Sequence, residues 1–230
     1  MLRSIIWRCA RNLVVIVPIA LHAGHAIGRS LTECAHSPEM RSNAEQTHTA
    51  PTALETPIWK TITVGGSKGV NAIRAAMETA PCRMSIGDDA DEILGRPAFP
   101  FKETPIELDL VVLTVFELGF GDASGNDLEL GTRVEASLHD IYARAEALGF
   151  ELCPAEVGPA LRLKYLDQPP GEFLHIAMKP VARYTGELVN LTVGGGGAEL
   201  LLVGGNGAPD VMQPGVVQFV FVRPKPIAGR

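Results

Sequence analysis

After Pro154 the apolar residues fall on alternate positions, and this period of two constrains the fold more than any other feature of the chain. Leu161, Leu163 and Tyr165 alternate with Arg162 and Lys164, and Phe173, His175 and Ala177 alternate with Leu174, Ile176 and Met178. Further apolar runs occupy 188–193, 200–203 and 216–222, separated by turn-like stretches at 167–171, 194–197 and 204–207. Successive side chains of a strand point to opposite faces, so the alternation predicts strands and the glycine-rich intervals predict turns. An antiparallel, hairpin-built sheet is expected in the second half of the chain.

The first half reads differently. Residues 59–64 (WKTITV) alternate and are β-branched, as in a strand. The glycine loop GGSKG (65–69) leads into Val70, Ile73, Met77 and Ala80 at helical spacing, with Ser67 as the expected N-cap. GGSKG has neither the Walker order nor the GxGxxG spacing, and is read as a turn needing positive φ. Residues 87–95 predict a short helix whose first-turn acids complement the helix dipole; their spacing is not that of an EF-hand. Residues 106–115 predict a buried strand and 119–131 a glycine- and acid-rich loop. Ser137 and Asp140 box the start of the clearest helix, with Leu138, Ile141, Ala145 and Leu148 on one face and Gly149 as its stop. The fold class expected is α+β, with helices mainly in the first half and an antiparallel hairpin-built sheet in the second.

Hydrophobic residues make up 46% of the 230 residues, enough for a sizeable core. Residues 1–29 combine three early arginines, an apolar run at 13–21 and small residues, Gly24 and Ala26, at −3 and −1 of a possible cut, which predicts an export signal. The alternative is a spurious upstream extension, with Met40 as the start. Residues 30–57 have the composition of a flexible linker, 58–224 form the expected single domain and 225–230 a tail. A chain beginning at Pro57 is accordingly expected to fold as well as the whole. The domain is assigned to the cytoplasm, with export after a cut near Ala26 as the alternative. Membrane contact is expected only if residues 1–29 stay uncleaved.

Residues 1–57 carry five Arg against four Glu, which leaves 15 basic and 22 acidic residues beyond them. A net charge of −7 repels phosphate, so no nucleic acid is expected as partner. Cys82 and Cys153 form no disulfide framework and are expected as free thiols. No metal is expected, because zinc-ligand spacing is absent, and no cofactor.

The block 151–180, ELCPAEVGPALRLKYLDQPPGEFLHIAMKP, carries a more specific signal. It resembles a group of small bacterial proteins with the run ELCPAEVGP–LRL–Y–DQP–GE–L–IAM–P. WKTITVG, IGDDADEILGRPAF, VVLTVFELGF, IYARAEALG and FVFVRP match as well, so the resemblance spans 59–224. Two departures stand out: Asp89 occupies an aromatic position, and 194–207 is richer in glycine and less acidic. The resemblance implies a coherent fold and assigns no chemistry.

Within that block Glu156, Arg162, Asp167, His175 and Cys153 form the candidate functional patch. Cys153 with His175 has the residue types of a nucleophile and its base, and Glu156 with Glu172 those of an acid/base carboxylate pair. Both would make a small hydrolase. A helix at 114–119 followed by the 137–148 helix would make a helix-turn-helix-like regulator. By elimination the leading reading is a non-catalytic binding or interaction module, with an unidentified protein or small molecule as partner. In that reading Arg162 is structural and Glu156 functional.

Overall fold

The run QFVFVR at Gln218–Arg223 is apolar on both faces, the composition of a strand covered on each side. In the computed structural model, which describes residues 50–67, 69–121 and 135–225, that run forms strand β10 at the middle of the main sheet. In chain order the elements are β1 (Lys60–Val64), α1 (Val70–Glu78), β2 (Met84–Ile86), α2 (Asp88–Leu94), β3 (Ile106–Thr114), β4 (Glu135–Ser137) and α3 (Leu138–Ala147). They continue as α4 (Val157–Lys164), β5 (Phe173–Ile176), β6 (Val181–Ala182), β7 (Leu188–Gly195), β8 (Leu200–Asn206), β9 (Met212–Pro214) and β10. The main sheet runs β1-β3-β10-β5-β7-β8-β2, with β6 beside β7, and curls into a half-barrel. Strands β4 and β9 form a separate two-stranded ladder.

This architecture overturns the α+β expectation of helices first and hairpins second. The described residues are mostly sheet with four short helices, and two of these, α3 and α4, lie in the second half. Strands β1, β2 and β3 from the first half belong to the same sheet as the later strands. Nor is the sheet uniformly antiparallel: β10 pairs with β5, and β2 with β8, in parallel. Only β7 and β8 give the long hairpin expected, and 204–206 continue β8 instead of turning.

The largest local correction is α4. The Leu161/Leu163/Tyr165 alternation predicts a strand, yet Val157–Lys164 is helical. Val157, Leu161 and Tyr165 lie four residues apart and are all buried, so a helical stripe underlies the apparent alternation. Pro159 falls in the first turn, where its missing N–H costs no helical bond. Over so short a run the two periods are not separable from sequence.

The capped helix is α3. Ser137 Oγ accepts the Asp140 N–H at 3.1 Å, Gly149 turns the chain at φ 89°, and the Phe150 N–H reaches back to Ala145 O at 3.0 Å. Helix α1, in contrast, starts at Gly69 with no side-chain cap, so Ser67 does not serve as N-cap. Residues 115–119 form a turn after β3, which removes the first helix of the helix-turn-helix alternative. Of the expected 119–131 loop, 122–131 lie outside the described residues.

Alternation along β10 divides the interior in two. Val220 and Val222 join one core with Leu110, Leu161, Leu174, Ile176 and Leu191, under α1, α2 and α4. Phe219 and Phe221 join a second core with Val111, Leu118, Ile141 and Phe150, on the face covered by α3.

Residues 50–57, given to the linker by their composition, pack on this second face. Ala53 N–H donates to Leu148 O at 2.9 Å, and Arg223 donates to the carbonyls of Thr56 (2.9 Å) and Leu54 (3.1 Å). Ala50, Ala53 and Thr56 are buried. A chain beginning at Ile58 is therefore expected to unfold about 5 °C below one beginning at Thr49. Loss of these bonds and contacts is worth about 2 kcal/mol, and each kcal/mol moves the midpoint of a domain this size by roughly 2–4 °C. Coincident melting curves for the two would show that the packed segment contributes nothing.

Candidate functional site

Three stretches remote in sequence meet at one cleft. Thr63, Val64, Gly65 and Ser67 from the end of β1, Ala72, Ile73 and Ala76 from α1, and Glu156, Pro159, Ala160 and Leu163 from α4 line a cavity of about 180 Å³. Its wall is mainly apolar. Among the described residues that line it, the one charged group is Glu156, whose residue is only 3% exposed.

Glu156 stands at the N-cap position of α4, but its side chain makes no capping bond to its own helix. One carboxylate oxygen instead accepts the backbone N–H of Lys102 at 3.0 Å. No ion pair reaches the carboxylate among the described residues. Burial raises its pKa above the ordinary carboxylate value, opposed by the Lys102 N–H and, less, by the Lys102 charge. A carboxylate held in an apolar wall with one hydrogen bond is a costly arrangement for folding alone.

Gly65 sets the rim of the cleft. Its φ of 89° lies in the left-handed region, and an added Cβ would overlap the Thr104 carbonyl oxygen. The glycine loop is thus a turn packed against 102–105, and its fifth residue, Gly69, opens α1.

The other candidate residues do not join Glu156. Arg162 is fully buried on α4, and its guanidinium donates to Gln168 Oε1 at 2.5 Å, Gly194 O at 3.0 Å and the Tyr165 carbonyl. Among the described residues it meets no carboxylate. Burial lowers its pKa to about 10, so it stays charged at neutral pH. The guanidinium therefore ties the C-terminal end of α4 to the 168 turn and to β7. Gln168 completes the knot by donating to Val193 O at 3.1 Å and Glu172 O at 3.2 Å.

Asp167 points outward, its side chain 84% exposed and 4.0 Å from Lys60 Nζ. Lys60 also lies over the Trp59 and Tyr165 rings, at 5.1 and 4.5 Å from their centroids. Cys153 is buried in the core that holds Leu174 and Ile176, its Sγ 3.3 Å from Val220 O, and burial pushes its pKa far up. His175, between Leu174 and Ile176 in β5, turns to the opposite face. Its ring packs 5.4 Å from that of Phe219, Nδ1 lies 3.4 Å from Thr192 Oγ1, and burial lowers its pKa. Thiol and imidazole are on opposite sides of the sheet and form no nucleophilic pair. Glu172 is held in the turn before β5 and takes no part in the Glu156 cleft.

A second, polar cleft of about 520 Å³ lies between α2 and the β7–β8 hairpin, with Asp89, Arg183, Glu187 and Asn206 in its lining. Arg183 bridges Asp89 and Glu92, each at 2.8 Å, and Glu187 at 3.2 Å. Sequence reasoning saw the acids of α2 as dipole partners and missed Arg183, because no local pattern joins residues about ninety positions apart. Cys82 is exposed, and among the described residues neither it nor Cys153 is in a disulfide. Among the described residues no three His, Cys, Asp or Glu side chains gather as metal ligands, and no helix is long and apolar enough to cross a membrane.

No protein-family model, curated protein or solved structure matches the chain.

Proposed function

We propose that the protein is a non-catalytic binding module whose ligand is a small molecule or side chain seated in the cleft between β1, α1 and α4, with Glu156 as its polar anchor. The observation that carries this reading is a carboxylate almost wholly buried in an apolar cleft, with no ion-pair partner among the described residues. Concave, mostly apolar sites with a few placed polar groups are the usual form of small-ligand sites. Groups that cost stability and persist are commonly kept for function. The Cys153–His175 hydrolase alternative has lost its geometry, and among the described residues no second carboxylate lines the Glu156 cleft.

Glu156→Gln separates anchor from scaffold. Burial raises the Glu156 pKa, so its contribution to stability is complete below the unfolded-state value and is lost as pH rises through the folded one. At pH 7 the glutamine variant, which keeps an acceptor for Lys102 N–H, is therefore expected to be more stable by on the order of 1 kcal/mol. The difference should vanish as pH falls towards 4. Urea midpoints across this range check it, and a strongly destabilised variant at pH 7 would make Glu156 structural. Binding itself is checked by titrating the full chain with small alcohols and amines while following its NMR spectrum. Shifts should gather on Ile73, Ala76, Ala160 and Leu163, and an absence of shifts there removes the reading.

A further inference from the structure

We propose that the Glu156 cleft selects a primary ammonium group on a short aliphatic stem, an inference that rests on the binding reading above. The head group follows from the acceptors. One oxygen of Glu156 is pinned by Lys102 N–H, and the other takes no hydrogen bond among the described residues. Ser67 also lines the cleft, and a serine hydroxyl oxygen can accept. An ammonium group carries three donors and no acceptor, so it matches a carboxylate with one oxygen unengaged. A carboxylate ligand would meet like charge, and an alcohol would leave the buried anion uncompensated. The excess of acids beyond residue 57 also favours the approach of cations.

The stem follows from the wall. Val64, Ile73, Ala76, Pro159, Ala160 and Leu163 present only carbon to the interior of the cleft. Its volume of about 180 Å³ accommodates a stem of four or five methylene groups. A lysine side chain of a partner polypeptide and a free alkylamine share this chemistry.

The test uses the full chain at pH 7.5 and four probes: n-butylammonium, n-butanol, butyrate and Nα-acetyl-lysine methylamide. Dissociation constants come from NMR titration. We expect n-butylammonium to bind at least tenfold tighter than n-butanol, and butyrate to show no shifts. In Glu156→Gln that tenfold advantage should disappear while n-butanol binding stays within twofold. Affinity for n-butylammonium should rise as Glu156 ionises, and fall again as the amine deprotonates near pH about 10.4. Tighter binding of the lysine derivative than of n-butylammonium assigns the ammonium to a protein partner, and the reverse order to a free amine. Equal binding of n-butanol and n-butylammonium by the parent chain overturns the ammonium inference and leaves the binding reading standing. If none of the four probes shifts the cleft residues, both fall. The parent chain alone decides between these outcomes if the variant does not fold.

Discussion

Replacing Arg162 by leucine is expected to destabilise the protein by about 4 kcal/mol. Leucine fills part of the space but donates nothing. Gln168 Oε1 and the carbonyls of Tyr165 and Gly194 would then be left in the interior without their donor. Each buried polar group left unsatisfied costs about 1–3 kcal/mol, so three of them exceed any gain from removing a buried charge. Arg162→Lys should fall between the two, because an ammonium keeps the charge but cannot span three acceptors with a planar fork. The check is the urea midpoint at unchanged slope, with the slope guarding against a shift in the unfolded state. A loss below about 1 kcal/mol would show that water or neighbouring groups re-satisfy the acceptors. Because α4 carries both Arg162 and Glu156, the same experiment shows how firmly the cleft wall is held.

Gly65→Ala is expected to cost about 3 kcal/mol and to abolish ligand binding in the cleft. Two penalties combine at this position. A residue with a Cβ pays roughly 1–2 kcal/mol in the left-handed region, where Gly65 sits at φ 89°. The new methyl group would also overlap the Thr104 carbonyl oxygen, a backbone atom that cannot swing aside as a side chain would. Relief requires the 65–67 loop to move off 102–105, breaking the Gly66 N–H to Lys102 O bond of 2.8 Å. The same movement pulls Lys102 N–H from Glu156 and opens the rim of the cleft. Thermal unfolding measures the first effect and probe titration the second. A variant with unchanged midpoint and affinity would show that the turn tolerates a side chain.

Local pattern was enough to locate α3, whose Ser137 cap, apolar face and Gly149 stop all lie within a dozen residues. It was also enough for α2 with its first-turn acids and for the apolar runs that became β3, β7 and β10. These elements are legible because the interactions that define them are made between near neighbours. The glycine loop was likewise recognisable as a turn, since positive φ is a property of the residue itself. Helix α4 was not legible. Its eight residues satisfy a strand pattern as well as a helical one, and burial of Arg162 beside Leu161 hides the polar face that a helix normally shows. Among the proposed site residues, Glu156 could be named from its block, but nothing local distinguished it from Asp167, which faces solvent. What the sequence by itself determined was the set of strands, turns and capped helices that nearest-neighbour sterics and hydrogen bonding can specify. Only the tertiary structure decided that β10 lies between β3 and β5, that two pairings are parallel, and that residues 63–67, 72–76 and 156–163 close around one carboxylate. Those choices depend on which strand faces bury the most apolar surface together, a sum over residues from about forty to more than a hundred positions apart that no local window contains.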